Sequence, residues 1–423
     1  MLEKPKLFIE AKEFWLTLLF FLLLLSLRLF VLYHAYVTLV HKPFYFTHVE
    51  VQQQYEKLKG GKRYTILRVY SPELDLDFFT RTQKQEPLLG SILRLKLYPS
   101  QRITFWEYCS TSFISSHIVR IQPKIQNRHD HLAKSIAKQH ENPMMGAFYQ
   151  AIFLAMPLSK ELRDKISSLG VSHLVALSGF HLGILSGLLF LLLRPLYRWF
   201  QQRYFPYRFD LIDIGLVVLL FLGVYVYFVG SPASLLRSYV MMLLGWLVLI
   251  VGIELLSFDF LLVTTMLLLL IFPKLLFSLA FYFSVMGVFY IFLLLHYFRG
   301  VSTWGMSLLL SFSLFVLMMP LVHVVFPLAS LTQFYSPFLS LLFSIFYPLS
   351  LGLHVVGFGD LLDEALLRLF SMTSHAIEIT VPWFWAMGYV MLSVGAIYWR
   401  KLFYGLFAVA FGFVGWIFIR LML

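Results

Sequence analysis

The sequence has almost no cysteine and little charge. Cys109 is the only cysteine in 423 residues, so the chain can form neither an internal disulfide nor a cysteine-ligated zinc site. Charged residues make up 13% of the chain, whereas an average soluble domain has about 25%. No G-x-x-x-x-G-K-[ST] occurs, because Gly60-Gly61-Lys62-Arg63 lacks that spacing. The chain therefore has no P-loop motor of its own.

Hydrophobic residues are correspondingly frequent in the sequence. They make up 59% of the chain, and the mean hydropathy is +0.78. Polar surface could not cover a soluble core of that apolarity. We therefore predict a polytopic α-helical membrane protein with about nine or ten spans. Part of the net charge of +12 serves orientation, since Lys and Arg concentrate in short cytoplasmic loops, and part suits an anionic partner.

The chain divides into five parts by composition. Lysines before the first apolar run predict a cytoplasmic N-terminus, and no small-residue cleavage site follows that run, so it is an anchor and not a signal peptide. The predicted parts are a transmembrane anchor (1–43), an extracytoplasmic β domain (44–123), amphipathic interfacial helices (124–169), a transmembrane bundle (170–357), and an amphipathic helix with the final transmembrane helices (358–423).

The β domain is predicted from alternation of apolar and polar residues. Apolar and basic residues alternate strictly over 93–97, which is typical of a half-buried strand. Strands are also predicted at 62–70, 78–81, 103–108 and 114–121, and such short strands favour a small OB-like β-barrel. Basic groups with interleaved aromatic rings are how such barrels bind single strands; the alternative is that the rings form the barrel core. The predicted DNA contacts are Lys62, Arg63, Arg68, Arg94 and Lys96.

Residues 124–169 are polar and then amphipathic. Residues 147–156 are apolar but too short to span a bilayer, and Leu158, Leu162 and Ile166 follow at helical spacing. We expect one or two helices lying on the outer membrane surface. His129-Asp130-His131 lacks further ligands at metal-binding spacing, so a solvated loop is the favoured interpretation, and no metal site or cofactor is predicted.

The stretch Gly170–Pro195 is apolar and long enough to span, yet it contains several polar side chains. Its glycines recur every fourth residue, which lets a second helix approach closely on that face. Buried polar groups in a span indicate a path or a site. The predicted packing glycines are Gly179, Gly183 and Gly187, and the predicted path residues here are His173, Ser178 and His181.

Three further polar residues lie in later spans. Arg237 follows Pro232 at the start of the fourth span, where it either serves function or snorkels to the interface. His323 and Gln333 accompany prolines that are typical of broken helices lining a cavity. Near the C-terminus, simple alternation of spans places Arg400-Lys401 outside, against the charge rule, so either the span count or the role of 359–380 is off by one crossing.

The motif G-V-S-H-L-V-A-L-S-G-F-H-L-G resembles the signature of the ComEC competence family. A second similarity is P-x-x-x-L-R-S-x-x-M, with Pro232, Arg237 and Met241. The resemblance covers about residues 45–357. It implies an inner-membrane channel for single-stranded DNA in natural transformation. The matched residues of the first motif are Gly170, Ser172, His173, Leu174, Ala176, Ser178, Gly179, Phe180, His181 and Gly183.

From the resemblance we expect a short form of the family, without the metallo-β-lactamase-like domain of many members, because no H-x-H-x-D-H occurs. Such a chain needs an outer DNA-uptake receptor, a cytoplasmic helicase or translocase that supplies energy, and a separate nuclease if one strand is degraded. Homo-oligomerisation is left open.

Two other functions compete with the channel. A small-solute transporter explains the broken helices but not the basic aromatic β domain. An intramembrane serine protease would use Ser178 and His181, which are three residues apart, but no acid that could orient the histidine occurs among the spans. We therefore predict no enzymatic activity and no catalytic residue.

Overall fold

The computed structural model describes residues 7, 8, 10–59, 62–84, 86, 88–122, 128–252, 254, 257–372 and 376–423. The helices are α1 (Ala11–Val40), α2 (Phe105–Cys109), α3 (Arg128–Ala137), α4 (Pro143–Leu154), α5 (Lys160–Ser168), α6 (Ser172–Val175), α7 (Gly179–Tyr204), α8 (Asp210–Phe228), α9 (Ala233–Val251), α10 (Phe258–Ile271), α11 (Leu279–Tyr297), α12 (Thr303–Val325), α13 (Ser336–Val356), α14 (Asp363–Ser371), α15 (Trp383–Tyr398) and α16 (Arg400–Met422). The strands are β1 (Tyr45–Lys59), β2 (Lys62–Ser71), β3 (Leu76–Thr82), β4 (Ile92–Tyr98), β5 (Ser112–Phe113), β6 (Ser115–Gln122), β7 (Leu328–Ser330) and β8 (Ala376–Glu378).

The chain forms two compact units. The β unit comprises Phe8–Arg128 with Thr265–Phe281, and the helical unit comprises His129–Thr264 with Tyr282–Leu423. The β unit contains a six-stranded sheet in the order β5-β3-β2-β1-β4-β6. Leu93, Leu95 and Leu97 are fully buried in its core, and the residues between them point outward, so the alternation predicted for 93–97 is confirmed.

The sheet curls, but in the described residues strand pairing does not close it into a barrel. Its two sides approach through the hydroxyls of Thr80 and Ser116, 2.6 Å apart, without a ladder between β3 and β6. The prediction of a closed OB-like barrel is therefore wrong in this respect. The predicted strand at 103–108 is also wrong: Thr104 and Glu107 form a capping box, which starts the short helix α2 instead.

Eight helical segments in the described part of the chain are long and apolar enough to cross a membrane. They are α1, α7, α8, α9, α11, α12, the segment Leu331–Val356 that contains α13, and α16. Helices α4, α10 and α15 are apolar but shorter. The count is thus below the nine or ten predicted, because α10 has 14 residues and α15 has 16. The class of multi-pass helical membrane protein holds.

We predicted that the stretch Gly170–Pro195 forms one helix, but it forms two. The one-turn helix α6 ends at Val175, and Ser178, with φ −142° and ψ 179°, is the extended N-cap residue of α7. Gly170, with φ +68°, turns the chain after α5, a conformation that favours glycine. The signature motif therefore encodes a break in the helix and the start of α7.

Helix α4 of the segment before this break is buried, in contrast to the expectation that it lies on a surface, whereas α5 is amphipathic, with Leu162 and Ile166 buried. Met145, Tyr149 and Ile152 of α4 have no exposed surface, and they belong to a core with residues of α13 and α14. The expected solvated loop at 129–131 is also wrong. These residues form the first turn of α3, where Asp130 is 8% exposed and His129 Nε2 lies 3.1 Å from the carbonyl of Leu154.

In the C-terminal part of the helical unit the chain leaves the bundle after α12 and returns to it before α15; we call the segment between β7 and β8 the excursion. Strand β7 follows α12, strand β8 precedes α15, and the two strands pair antiparallel, with Leu328 opposite Glu378. The intervening segment, with α13 and α14, therefore leaves and rejoins the bundle at one place. However deeply this segment enters the membrane, it crosses the membrane an even number of times.

This pairing removes the conflict at Arg400-Lys401. The hydroxyl of Tyr297, near the end of α11, donates to the carbonyl of Ala396 at the end of α15, and its ring stacks on Phe403 at 4.1 Å. Arg299 and Arg400 thus lie at the same end of the helical unit. With α13 contributing no net crossing, both basic clusters satisfy the charge rule provided that the shorter helices α10 and α15 also cross.

Thiol labelling tests this arrangement. In a Cys109→Ser background, we expect Val301→Cys and Lys401→Cys to react with an impermeant maleimide from one side of the membrane, and Phe326→Cys and Trp383→Cys from the other. The unsubstituted chain serves as a control and should react little, because burial raises the pKa of Cys109 to about 12. Labelling of Val301→Cys and Lys401→Cys from opposite sides would contradict the excursion.

Candidate functional site

The candidate site lies around the break between α5 and α7. Irregular backbone inside an apolar bundle needs hydrogen-bond partners, because no water supplies them there. Side chains from elsewhere in the helical unit supply these partners. Thr332 Oγ1 donates to the carbonyl of Ser168 at 2.7 Å, Ser336 Oγ to that of Gly170 at 3.1 Å, and Ser234 Oγ to that of Leu177 at 2.6 Å.

His181 lies in the first turn of α7 and is fully buried. The backbone N–H of Ser178 donates to His181 Nδ1 at 3.3 Å, so the ring proton lies on Nε2. Among the described residues, Nε2 makes no hydrogen bond of ordinary geometry, although the backbone of Leu174 interacts with the ring. The ring is edge-on to Phe343 and Tyr347 of α13, with centroids 5.2 Å and 4.9 Å apart. Ser178 and His181 therefore first serve as a capping box, and they leave a buried N–H donor.

Helix α9 packs one face on this break. Ser234, Arg237 and Ser238 are three or four residues apart, which places them on one side of the helix. Ser234 bonds Leu177, and Ser238 lies so close to Gly179 that a Cβ there would be 2.8 Å from its hydroxyl. Arg237 lies on the same side of α9 and is 6% exposed. Helix α9, which carries Arg237, thus contacts the chain at Leu177 and Gly179, on either side of Ser178.

Only the first glycine of the predicted stripe meets another helix. A Cβ on Gly183 or Gly187 would find no atom within 4 Å in the described structure, and both residues are exposed. The expectation that all three glycines pack against a second helix is therefore wrong for these two. The close approach occurs at the start of α7, where the chain has just left the break.

Of the other three predicted path residues, one is exposed, one supports the break and one is buried away from it. His173 is exposed, with Nε2 3.4 Å from Ser340 Oγ. Gln333 donates to the carbonyl of Leu328 at 3.0 Å and lies over Gly170, so it supports the break. His323 is buried away from these contacts: its Nδ1 is bonded to the carbonyl of Met319, and its ring lies 5.8 Å from Phe413 of α16. The structure does not join His323 to the break.

The β unit carries a separate basic and aromatic surface. Arg94 of β4 pairs with His48 of β1 and Arg120 of β6, and Lys96 pairs with Phe46 and His117 in the next row. Lys96 Nζ lies 4.4 Å from the ring centre of Phe44 and 5.4 Å from that of Tyr98. We define the basic–aromatic face as Phe44, Phe46, Arg94, Lys96, Tyr98 and Arg120.

The remaining predicted DNA contacts lie elsewhere or cannot be placed. Arg68 of β2 is half-buried and lies 3.6 Å from Asp77 of β3, whose carboxyl has a raised pKa mainly because of burial. Arg68 is therefore occupied by an ion pair and is not on the basic–aromatic face. Lys62 and Arg63 lie in β2, but their side chains lie outside the described residues.

Sequence reasoning missed a buried cluster of His140, His354 and Asp363. His140 Nδ1 lies 2.9 Å and 3.0 Å from the two carboxylate oxygens of Asp363, and its Nε2 lies 3.0 Å from His354 Nε2. These residues are far apart in sequence. One signal was available, since His354 is an ionisable residue within an apolar stretch. In the described ranges, no group of three or more His, Cys, Asp or Glu is placed to hold a metal ion.

The fold and this site define a multi-pass membrane protein built around a broken helix. Residues 156–422 match the family described as Competence protein, which is more than half of the chain, so the chain belongs to this competence family. The match begins after the six-stranded sheet and includes the last helices, whereas we expected similarity over about 45–357. No curated protein and no solved structure matches the chain.

A pair of glycine substitutions tests the close approach at the break. Gly179→Ala places a methyl group against Ser238, so we expect a lower melting temperature and a cost of about 1–3 kcal/mol, as for overpacking. The matched control Gly183→Ala meets no neighbour and should not destabilise. Adding Ser238→Ala should restore part of the stability. Equal effects of the two glycine variants in thermal unfolding would refute the contact.

Proposed function

We propose that this protein carries single-stranded transforming DNA across the inner membrane during natural competence. The observation that supports it most is the family match over 156–422, which includes the whole break region. The N-terminus would be cytoplasmic and the β unit periplasmic. Bare phosphate charge in hydrocarbon is prohibitive, so the strand needs polar groups inside the bundle.

Arg237 and His181 are the groups best suited to meet the strand. Arg237 supplies a positive charge on α9, and His181 supplies a buried N–H donor at the start of α7, the helix that α9 contacts at Gly179. Both are buried in the described conformation, at 6% and 0% exposure. In the proposed channel this conformation would be a closed state, and passage would require the helices around the break to separate.

The basic–aromatic face of the β unit would receive the strand. Its positive groups can track phosphates, and its exposed rings offer stacking surfaces to bases, since Phe44, Phe46 and Tyr98 are 45%, 44% and 43% exposed. Leu93, Leu95 and Leu97 take the core positions, so these rings are not needed to fill the core. An outer uptake receptor would deliver DNA to this face.

Energy and strand removal would come from other proteins. The sequence has no P-loop, so a cytoplasmic helicase or translocase would pull the strand. A separate nuclease would degrade the second strand where that occurs. The chain itself would act as a conduit and not as an enzyme.

Binding of a labelled single strand to the purified full-length protein tests the basic–aromatic face. Arg94→Ala with Lys96→Ala should weaken binding, and the slope of log affinity against log salt should fall by about 0.7 for each phosphate that is no longer neutralised. The control, Lys84→Ala, removes an exposed charge just after β3, on the far side of β2 and β1 from β4 in the sheet. An unchanged affinity and salt slope in the double variant would remove the face from the proposal.

A second experiment separates uptake from passage across the inner membrane. Cells with His181→Ala and Arg237→Ala receive labelled duplex DNA, and both transformants and DNA location are scored. We expect transformants to fall about tenfold or more, as when a rate-limiting barrier rises by over about 1.4 kcal/mol. DNA should accumulate in a protected compartment outside the inner membrane, while electroporation stays normal.

The matched control is His131→Ala with Arg203→Ala, which removes the same residue types from exposed positions of the helical unit. Immunoblots and thermal unfolding confirm that each variant reaches the membrane folded. Normal transformation by a folded His181→Ala, Arg237→Ala protein would contradict the proposed path, and normal transformation after deletion of the whole gene would favour a small-solute transporter.

A further inference from the structure

The cluster of His140, His354 and Asp363, which we call the histidine triad, joins four segments of the helical unit. His140 follows α3 and precedes α4, His354 lies near the end of α13, and Asp363 opens α14. The His140 side chain has no exposed surface and that of Asp363 is 14% exposed. The contacts of the triad are therefore shielded from water, and their hydrogen bonds must be satisfied within the cluster.

The hydrogen-bond pattern determines how many protons the triad holds. His354 Nδ1 lies 2.7 Å from the carbonyl of Ser350, which only accepts, so the His354 proton is on Nδ1 and its Nε2 accepts. His140 Nε2 must then donate across the 3.0 Å to His354. One further proton lies between His140 Nδ1 and Asp363, because a carboxylate also only accepts. The triad thus holds one proton more than two neutral histidines and an ionised aspartate.

The ring geometry fits a proton between the two histidines. Their centroids are 5.1 Å apart while the Nε2 atoms are 3.0 Å apart, so the nitrogens face each other nearly end to end. Tyr149 of α4 stacks on the His140 ring at 4.6 Å and closes one side of the cluster. Gln139 fixes the other segment by donating to the carbonyl of His354 and accepting from the N–H of Gly359.

We propose that the histidine triad is a buried proton-binding site that fastens α13 and α14 to α3 and α4. Without the extra proton, one of the two contacts would have no hydrogen. Either the Nε2 lone pairs of His140 and His354 would face each other, or the Nδ1 lone pair of His140 would face the Asp363 carboxylate, with no water between them. The contact would then loosen. Tyr149 is the one other titratable group that contacts the triad in the described residues, and the charged neighbours Lys138, Glu141, Asp360 and Glu364 are exposed, with Glu364 paired to Arg368.

Thermal unfolding of the full chain in detergent, without DNA, tests this site. A native state that holds an extra proton loses stability as pH rises, so the melting temperature should fall by several degrees between about pH 5 and 8, where histidines titrate. Asp363→Asn keeps an acceptor for His140 but removes the charge, and His140→Gln removes the shared proton. Both should lower the melting temperature at the acidic end and flatten its pH dependence, and combining them should add little.

The matched control is His131→Gln, an exposed histidine on α3, which should keep the wild-type pH dependence. If His140→Gln does not fold, Asp363→Asn against His131→Gln still decides the question. A pH profile unaffected by Asp363→Asn would overturn the proposal. A transition metal that copurifies stoichiometrically, and whose chelation removes the same stability, would also overturn it in favour of a metal site. None of these outcomes bears on DNA passage.

Discussion

The helical unit depends on one constraint: polar backbone that leaves a helix within an apolar bundle must find hydrogen-bond partners in the protein. The break before α7 satisfies it with serine and threonine hydroxyls. Ser336 bonds Gly170, Thr332 bonds Ser168, and Ser234 bonds Leu177. These donors come from two distant parts of the chain, the segment 332–336 and the first turn of α9. The break is therefore held to both the start of α13 and the start of α9.

The sequence predicted the elements whose signal is local. The alternation over 93–97 became β4, and Pro232 begins α9 as expected of a residue with fixed φ. The polar character of the region from Gly170 to Gly183 was also correctly singled out. The role of this region was not correctly predicted, because hydropathy shows only that Gly170–Pro195 is apolar. The Ser178–His181 capping box that divides it is a local signal of the kind that starts a helix, and the glycine spacing obscured it.

The remaining errors come from contacts between residues distant in the sequence. Residues 147–156 looked interfacial because they are short, but α4 is buried against α13 and α14. The apolar run of α13 looked like a span, yet the pairing of β7 with β8 gives it no net crossing. Hydropathy measures preference for an apolar surrounding, and lipid and protein core provide it equally. The conflict at Arg400-Lys401 was the one sequence-level sign that a crossing had been miscounted.

Helix α13 connects these features. Its first residue, Ser336, bonds the carbonyl of Gly170, its middle residues Phe343 and Tyr347 cover the His181 ring, and its last turn carries His354 of the triad. These residues form one face of the helix, while Phe338, Leu342 and Ile345 on other faces are exposed. Because Phe343 and Tyr347 cover the His181 ring, the N–H of His181 stays buried as long as α13 keeps this position. The contacts at the two ends of α13, with Gly170 and with His140, hold the helix in this position.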